Sequence, residues 1–265
     1  MIEFECLWVY YRLEVMEVLT EKRHQLILNQ LQQDKIIQSQ DLVDRLGISE
    51  STVRRDLASL EADGKLIRVH GGAKLPRDLT PELDLSEKAV KNSQEKAKIA
   101  RYAASLVQDG ARIYLDAGTT SLAMVGYLKG KDILVVTNGV THGHRLLTLG
   151  IETILVGGRA KLNTQAVVGT QAVEQVRNYR FSHVFLGTNS IDAKLGLTTP
   201  DSEEAAMKQA AAENGDRVFV LADPSKFDKV SFHKFLDLAD CMVITSTLTD
   251  PLRKDYIDLT TLKEV

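Results

Sequence analysis

The chain has 265 residues, 44% of them hydrophobic and 26% charged, a folding composition long enough for two domains. Its net charge of −3 excludes a generic polycation, so any contact with nucleic acid has to come from a local basic face. Cys6 and Cys241 are the only cysteines, which excludes a disulfide framework and fits a reducing cytoplasm; no apolar run reaches the ~18 residues of a membrane helix.

Residues 1–18 hold the only tryptophan, Trp8, and the pair Tyr10-Tyr11. Leu7, Tyr11, Val15 and Val18 share helical spacing, so one reading is an appended helix that packs on the neighbouring domain. The preferred reading is an upstream start, with Met16 or Val18 as the true beginning. Glu3, Glu5 and Glu14, with no basic start, do not make a signal peptide. From Thr20, a helix cap, Ile27, Leu28 and Leu31 form an apolar stripe through Gln33. Ile36-Ile37 reads as a short strand. Ser39 caps a helix from Gln40 to Leu46, with Leu42, Val43 and Leu46 inward. Gly47-Ile48-Ser49 is a tight turn between crossed helices. Ser49 then caps a helix whose Val53, Leu57 and Leu60 recur at helical spacing, leaving Thr52, Arg54, Arg55 and Ser59 outward. Asp63-Gly64 stops it. Lys65 to His70 alternates like a strand, and Gly71-Gly72 turns the chain.

A solvated helix face explains Arg54-Arg55 taken alone. The whole succession is that of a winged helix-turn-helix over residues 19–75, with its polar helix in the major groove of double-stranded DNA and its hairpin on the backbone. The DNA-facing residues are then Ser39, Ser49, Ser51, Thr52, Arg54, Arg55, Arg68 and His70. The segment from about Thr20 to Ala73 resembles the DNA-binding domain of the DeoR family of bacterial sugar-operon repressors. The resemblance is carried by Arg23 and Ile27, by Leu42-Val43 and Leu46, and by Ser51-Thr52-Val53-Arg54-Arg55-Asp56-Leu57. Leu60-Glu61, Gly64 and Ile67-Arg68-Val69-His70-Gly71-Gly72-Ala73 complete it.

Residues 76–92, with Pro76, Pro81 and a charged run, have no core pattern and read as a linker. Asn92 and Glu95 stand at capping-box spacing before a helix through Val107, with Ile99, Ala103 and Leu106 inward. Beyond Ala111 the period changes. Short apolar runs at 113–115, 133–136, 154–156, 183–186, 217–221 and 242–244 mostly alternate with helix-length stretches at 119–128, 141–149, 170–178 and 203–214. Residues 93–265 are therefore expected to be an α/β domain on a mainly parallel sheet buried on both faces. Ligands of such sheets bind beyond the carboxyl ends of the strands.

The loops at those ends are small and polar. Asp116-Ala117-Gly118-Thr119-Thr120-Ser121 leads into a helix and suits an anion, although strand–helix turns prefer the same residues. Thr137-Asn138, Gly157-Gly158-Arg159, Gly187-Thr188-Asn189 and Asp223-Pro224-Ser225-Lys226 are the others, the lysine offering a point charge. Together they suggest a phosphorylated small-molecule site made of Asp116, Gly118, Thr119, Thr120, Ser121, Thr137, Asn138, Gly157, Gly158, Arg159, Gly187, Asn189 and Lys226. His142 and His144 lack clustered partners and read as a solvated helix start, with no metal. No cofactor motif is present: there is neither a P-loop nor a dinucleotide glycine fingerprint.

This half resembles the DeoR effector domain, whose fold is that of ribose-5-phosphate isomerases and CoA transferases. The resemblance implies a repressor of a sugar operon of the phosphotransferase type, a homo-oligomer (dimer or tetramer), and a sugar-phosphate effector of the fructose or tagatose kind, with fructose 1-phosphate expected. The alternative is a sugar-phosphate isomerase with an accessory DNA-binding domain. Isomerases of this fold carry Asp-Gly-Ala-Asp where this chain reads Leu186-Gly187-Thr188-Asn189, so both acids are gone and binding without turnover is expected. Many relatives also have Ala-Asp-Gly in place of Thr188-Asn189-Ser190.

Overall fold

A computed structural model describes residues 20–31, 34, 36–63, 65–69, 71–74 and 85–265. The extension 1–18 with its start-site reading, the helix stop at Gly64, His70 and residues 76–84 of the expected linker lie outside the described residues. The chain divides into two units, Met1–Arg77 and Asp78–Val265.

In the first unit α1 covers residues 20–31, and after it come β1 (Ile36–Gln38), α2 (Ser39–Leu46), α3 (Glu50–Ala62), β2 (Ile67–Val69) and β3 (Gly72–Lys74). The strands form an antiparallel sheet in the order β1-β3-β2. Ile27, Leu31, Leu42, Val53, Leu57, Leu60 and Leu66 make one core, the inward stripes read from helical spacing. Gly47 ends α2 at φ 62°, where a side chain would be strained. Ser39 is the first residue of α2 and caps nothing; its N–H donates to the Gly71 carbonyl at 2.7 Å. Ser49 does cap α3, its Oγ accepting from the Thr52 N–H at 3.3 Å. Gly72 lies so close under β1 that a Cβ would stand 2.0 Å from the Ile37 carbonyl oxygen.

Asp56 sits on the inner side of α3 and is buried. Arg23 of α1 grips it in a fork, Nε to Oδ2 at 2.8 Å and Nη2 to Oδ1 at 2.9 Å. A buried carboxylate so paired is tolerated only while its partner stays.

The second unit contains α4 (Leu85–Val90), α5 (Ser93–Ser105), β4 (Arg112–Leu115), α6 (Thr119–Val125), β5 (Leu134–Thr137), α7 (Val140–Thr148) and β6 (Glu152–Leu155). A hairpin of β7 (Arg159–Ala160) and β8 (Val167–Val168) precedes α8 (Thr170–Arg177) and β9 (His183–Gly187). Then come β10 (Ser190–Asp192), β11 (Gly196–Thr199), α9 (Ser202–Glu213), β12 (Val218–Leu221), β13 (His233–Leu236), β14 (Met242–Thr245), α10 (Asp250–Tyr256) and β15 (Thr261–Glu264). Seven parallel strands run in the order β15-β14-β12-β9-β4-β5-β6, and β10, β11 and β13 form a small antiparallel sheet. The apolar runs of the central strands are buried on both faces by strict alternation, while Leu155 on the edge strand β6 is exposed. Tyr114, Val184, Leu186, Val220 and Val243 face α8 and α9, while Ile113, Leu115, Phe185, Phe219 and Ile244 pack with α5 and α6.

Three expectations fail in this unit. Helix α4 occupies part of the segment read as a linker. Asn92 makes no capping box: it stands at φ 54°, has no capping hydrogen bond, and spends its amide on Asp223 Oδ1 at 2.7 Å. His142 is also not a solvated residue. It is buried, and its Nε2 lies 3.2 Å from Ser121 Oγ and 3.0 Å from the Gly118 carbonyl, bracing the loop after β4. Gly139 makes room for it, since a Cβ there would stand 2.4 Å from His142 Nδ1. Burial lowers the His142 pKa to about 4.

The two buried groups respond differently to perturbation. Arg23→Met should destabilise the winged unit by ~3 kcal/mol, because buried Asp56 loses its forked partner and keeps only His24 Nε2, 3.4 Å from its Oδ1, whereas Arg55→Met should barely change it; urea unfolding compares them. For His142 the unfolded pKa (6.5) exceeds the folded one (about 4), so the unfolded state takes up the proton first. Its share of stability is intact above pH 6.5 and is lost as pH falls toward 4. His142→Gln should flatten the fall of the thermal midpoint across that window.

Candidate functional site

At the carboxyl edge of the seven-stranded sheet the second unit carries a polar cavity. Its walls are residues 116–120 after β4, residues 187–189 after β9, Glu204 and Lys208 of α9, and Thr164 and Ala166 of the β7–β8 turn. Lys88 of α4, Lys96 of α5, Leu221 of β12 and Lys226 close the remaining side.

Asp116 is the hub. Its Oδ2 accepts the Gly187 N–H at 2.9 Å and pairs with the ammonium of Lys208, both side chains being buried. The two loops approach closely: a Cβ on Gly118 would be 3.5 Å from the Gly187 Cα, and one on Gly187 would be 3.3 Å from Asp116 Oδ2. Glycine at both places keeps backbone within reach of a ligand. Glu204 is the second carboxylate, and Lys161 Nζ at 2.8 Å and Thr164 Oγ1 at 2.9 Å both reach its Oε1. Asn189 accepts from Thr199 Oγ1 at 3.0 Å.

The lysines carry the electrostatics. Lys96 is buried and donates to the Lys88 carbonyl. Burial lowers its pKa, Asp223 opposes the shift, and Lys88 adds to it. Lys226 is held down to about 8 by burial, countered by Asp223 and reinforced by Lys88, Lys96 and Lys229. It ends a 3-10 turn (Pro224–Lys226) capped by Asp223, whose Oδ1 accepts the Ser225 N–H at 3.0 Å.

Of the residues read from sequence, Asp116, Gly118, Thr119, Thr120, Gly187, Asn189 and Lys226 line the cavity. Ser121, Thr137 and Asn138 stand behind it. Ser121 Oγ donates within its own loop, to Asp116 O at 2.6 Å or Gly118 O at 2.7 Å. Thr137 donates to Leu115 O at 2.7 Å, and Asn138 ties Ala117 N to Val167 O. Gly157, Gly158 and Arg159 are not on its wall: Gly157 N–H donates to Gln175 Oε1 at 3.0 Å and Arg159 pairs with Glu203. Thr188, of the loop Gly187-Thr188-Asn189, lines it as well, and so do Lys88, Lys96, Thr164, Glu204 and Lys208, to which the loop pattern does not point. A signal exists for two of these, since Lys96 falls on the stripe of Ile99 and Ala103, and Lys208 four residues from Ala212.

On α3, Ser49, Ser51, Arg54 and Arg55 are exposed. Ser49 Oγ lies 2.9 Å from both Ser51 Oγ and Thr52 Oγ1, so three hydroxyls cluster at the start of the helix. Arg54 meets Glu50 at 2.5 Å one turn back. On β2, exposed Arg68 takes its N–H to Glu61 Oε1 at 2.9 Å, which ties the wing to α3. Ser39 is half-buried beside Gly71. Among the described residues no group of His, Cys, Asp and Glu is arranged to hold a metal, and no helix is long and apolar enough to cross a membrane.

Comparison with known proteins fits both units. Residues 23–78 match the model of the DeoR-like helix-turn-helix domain, and residues 91–247 that of the DeoR C terminal sensor domain. The chain is 44% identical to the uncharacterized HTH-type transcriptional regulator FruR of Bacillus subtilis (strain 168), over 94% of this chain and 99% of that protein. It is 36% identical to a lactose phosphotransferase system repressor of Lactococcus lactis subsp. lactis, over 79% and 84% of the two chains. It is 35% identical to a putative aga operon transcriptional repressor of Escherichia coli O157:H7, over 82% of each. A ribose 5-phosphate isomerase A of Methanocaldococcus jannaschii aligns over 52% of this chain and 56% of its own, at 18% identity and a TM-score of 0.41. With a helix-turn-helix and a sensor domain both matched, and a relative similar along nearly its whole length, the chain belongs to the DeoR family.

Proposed function

We propose that this protein represses a sugar-utilisation operon and that a phosphorylated sugar bound in the sensor cavity governs its hold on operator DNA. The observation that carries the reading is the cavity lining, in which Lys88, Lys96, Lys208 and Lys226 surround hydroxyls, an amide and two carboxylates. Ammonium groups answer a phosphate ester, while carboxylates and amides answer sugar hydroxyls. The repressor names of the relatives support the sugar operon. Asp116, Gly118, Thr119, Thr120, Gly187, Asn189 and Lys226 are the ligand-facing residues in this reading, joined by the other three lysines. Ser121, Thr137 and Asn138 act by holding the loops. Fructose 1-phosphate is the first ligand to test.

The protein is a binder and not an isomerase in this account. Proton abstraction needs a carboxylate available at the reacting carbon. Here Asp116 is committed to Lys208 and Gly187, and Glu204 to Lys161 and Thr164. For DNA, α3 enters the major groove with Thr52, Arg54 and Arg55, the hydroxyls of Ser39, Ser49 and Ser51 meet phosphates, and Arg68 and His70 of the wing touch the backbone. One winged unit covers few base pairs, so a homodimer reading two half-sites is the working form in the cytoplasm.

Arg55→Ala, which disturbs no hydrogen bond or ion pair among the described residues, is expected to weaken operator binding by ~1–3 kcal/mol. Anisotropy titration at fixed salt measures it; wild-type affinity in both Arg54→Ala and Arg55→Ala removes α3 from the DNA. Lys226→Met is expected to leave operator binding intact while raising the effector concentration for release about tenfold, the loss of one charge-assisted contact. No response to any phosphorylated sugar in the wild type ends the sensor reading. Incubation with ribose 5-phosphate or fructose phosphates is expected to yield no isomer above a buffer blank.

A further inference from the structure

Among the cavity lysines, Lys226 stands apart. Lys208 is committed to Asp116, and Lys96 donates to the Lys88 carbonyl. The side-chain amine of Lys226 has no hydrogen bond or ion pair among the described residues; its backbone N–H donates to the Asp223 carbonyl at 3.0 Å. The carboxylate beside it, Asp223, turns Oδ1 to Asn92 Nδ2 at 2.7 Å, to the Ser225 N–H at 3.0 Å and to Ser225 Oγ at 2.5 Å. The amine therefore stands half-buried on the wall of an anion-friendly cavity, faced by three other cations, Lys88, Lys96 and Lys229, with its nearest carboxylate occupied elsewhere.

We propose that Lys226 is an acylation site whose donor is an acyl phosphate held in this cavity by its phosphoryl group. The proposal rests on the reading that these lysines hold a phosphate. The unprotonated amine attacks the carbonyl carbon of the donor, the new C–N bond forms, and the bond from that carbon to the bridging oxygen breaks. The electron pair leaves with inorganic phosphate, and the nitrogen gives its extra proton to solvent. The product is an amide. The geometry serves the step twice. Lys88 and Lys96 bring the donor to the amine by its charge, and they stabilise the dianion that departs. Burial and the neighbouring ammoniums keep Lys226 near pKa about 8, so a sizeable fraction carries a free lone pair close to neutral pH, as an exposed lysine does not. Acylation erases one positive charge from the cluster and fills part of the cavity, so it competes with the effector.

The test uses the full-length protein with acetyl phosphate at pH 8, sampled over time and mapped by peptide mass spectrometry. Lys226 is expected to acetylate at least about tenfold faster than the exposed Lys129 and Lys254. Millimolar inorganic phosphate is expected to suppress Lys226 and leave the other two unchanged. Equal rates at all three lysines, or a fast Lys226 that phosphate does not protect, overturns the proposal. Calorimetry with inorganic phosphate and fructose 1-phosphate separates the two readings. Binding of either with an unreactive Lys226 ends the acylation site and leaves the sensor standing; binding of neither, with an unprotected Lys226, ends both.

Discussion

The sensor cavity depends on one carboxylate. Asp116 joins the end of β4 to the Gly187 backbone at the end of β9 and to Lys208 of α9, so three elements meet on a single side chain. Such a buried pair gains little over apolar packing, but loss of either partner leaves an unpaired buried charge and costs about 3–5 kcal/mol. Its value is geometric. It fixes the spacing at which Gly118 and Gly187 face each other and sets the lysine end of the site against the carboxylate end.

The cluster of Lys88, Lys96 and Lys226 is a different arrangement, in which like charges crowd together and Asp223 offsets them only in part. The chain as a whole is net negative, so this positive site is a local construction. Burial, with neighbouring ammoniums adding to it, lowers the pKa of Lys96 and brings that of Lys226 to about 8, at a cost to the empty protein. A bound anion relieves the repulsion, so binding stabilises the fold. A sensor whose empty state is electrostatically uncomfortable has a large differential response to its ligand, and only differential affinity moves an equilibrium between two states.

What the sequence announces and what it hides divide along burial. The central strands are legible because a strand covered on both faces has to be apolar throughout, as in Val184-Phe185-Leu186 and Phe219-Val220-Leu221. β15 is an edge strand reading Thr-Leu-Lys-Glu, and β10, β11 and β13 are short and partly polar, so no run marks them. Helix α4 is a single short turn-and-a-half with no stripe. Loop residues with small polar side chains are easily found, since Asp116, Gly118 and Gly187 stand at strand ends. The lysines are not, because Lys88, Lys96 and Lys208 lie on helices, where charge ordinarily means solvent. His142 misleads for the same reason: a helix start is usually wet, and only the space left by Gly139 and the partners Ser121 and Gly118 make it an internal brace. The winged unit is the most legible part, because its core stripe and polar face coexist on one helix. Even so, the Arg23–Asp56 fork is a tertiary fact, formed across 33 positions of sequence.

The protein donors that hold the cavity carboxylates in place also bear on what the cavity can do. An enzyme of this architecture has to keep a base free beside a reacting carbon, which means tolerating a buried, underbonded acid in the empty state. Here Asp116 and Glu204 each take two donors from the protein, and the position after Thr188 is an amide. Their remaining acceptor capacity suits the hydroxyls of a sugar, which hydrogen-bond without giving up a proton. In the proposed reading the nucleophile of the site is the Lys226 amine, on the cavity wall with Lys88 and Lys96. One cavity thus holds acids already bonded to the protein and, in Lys226, a side-chain amine that is not.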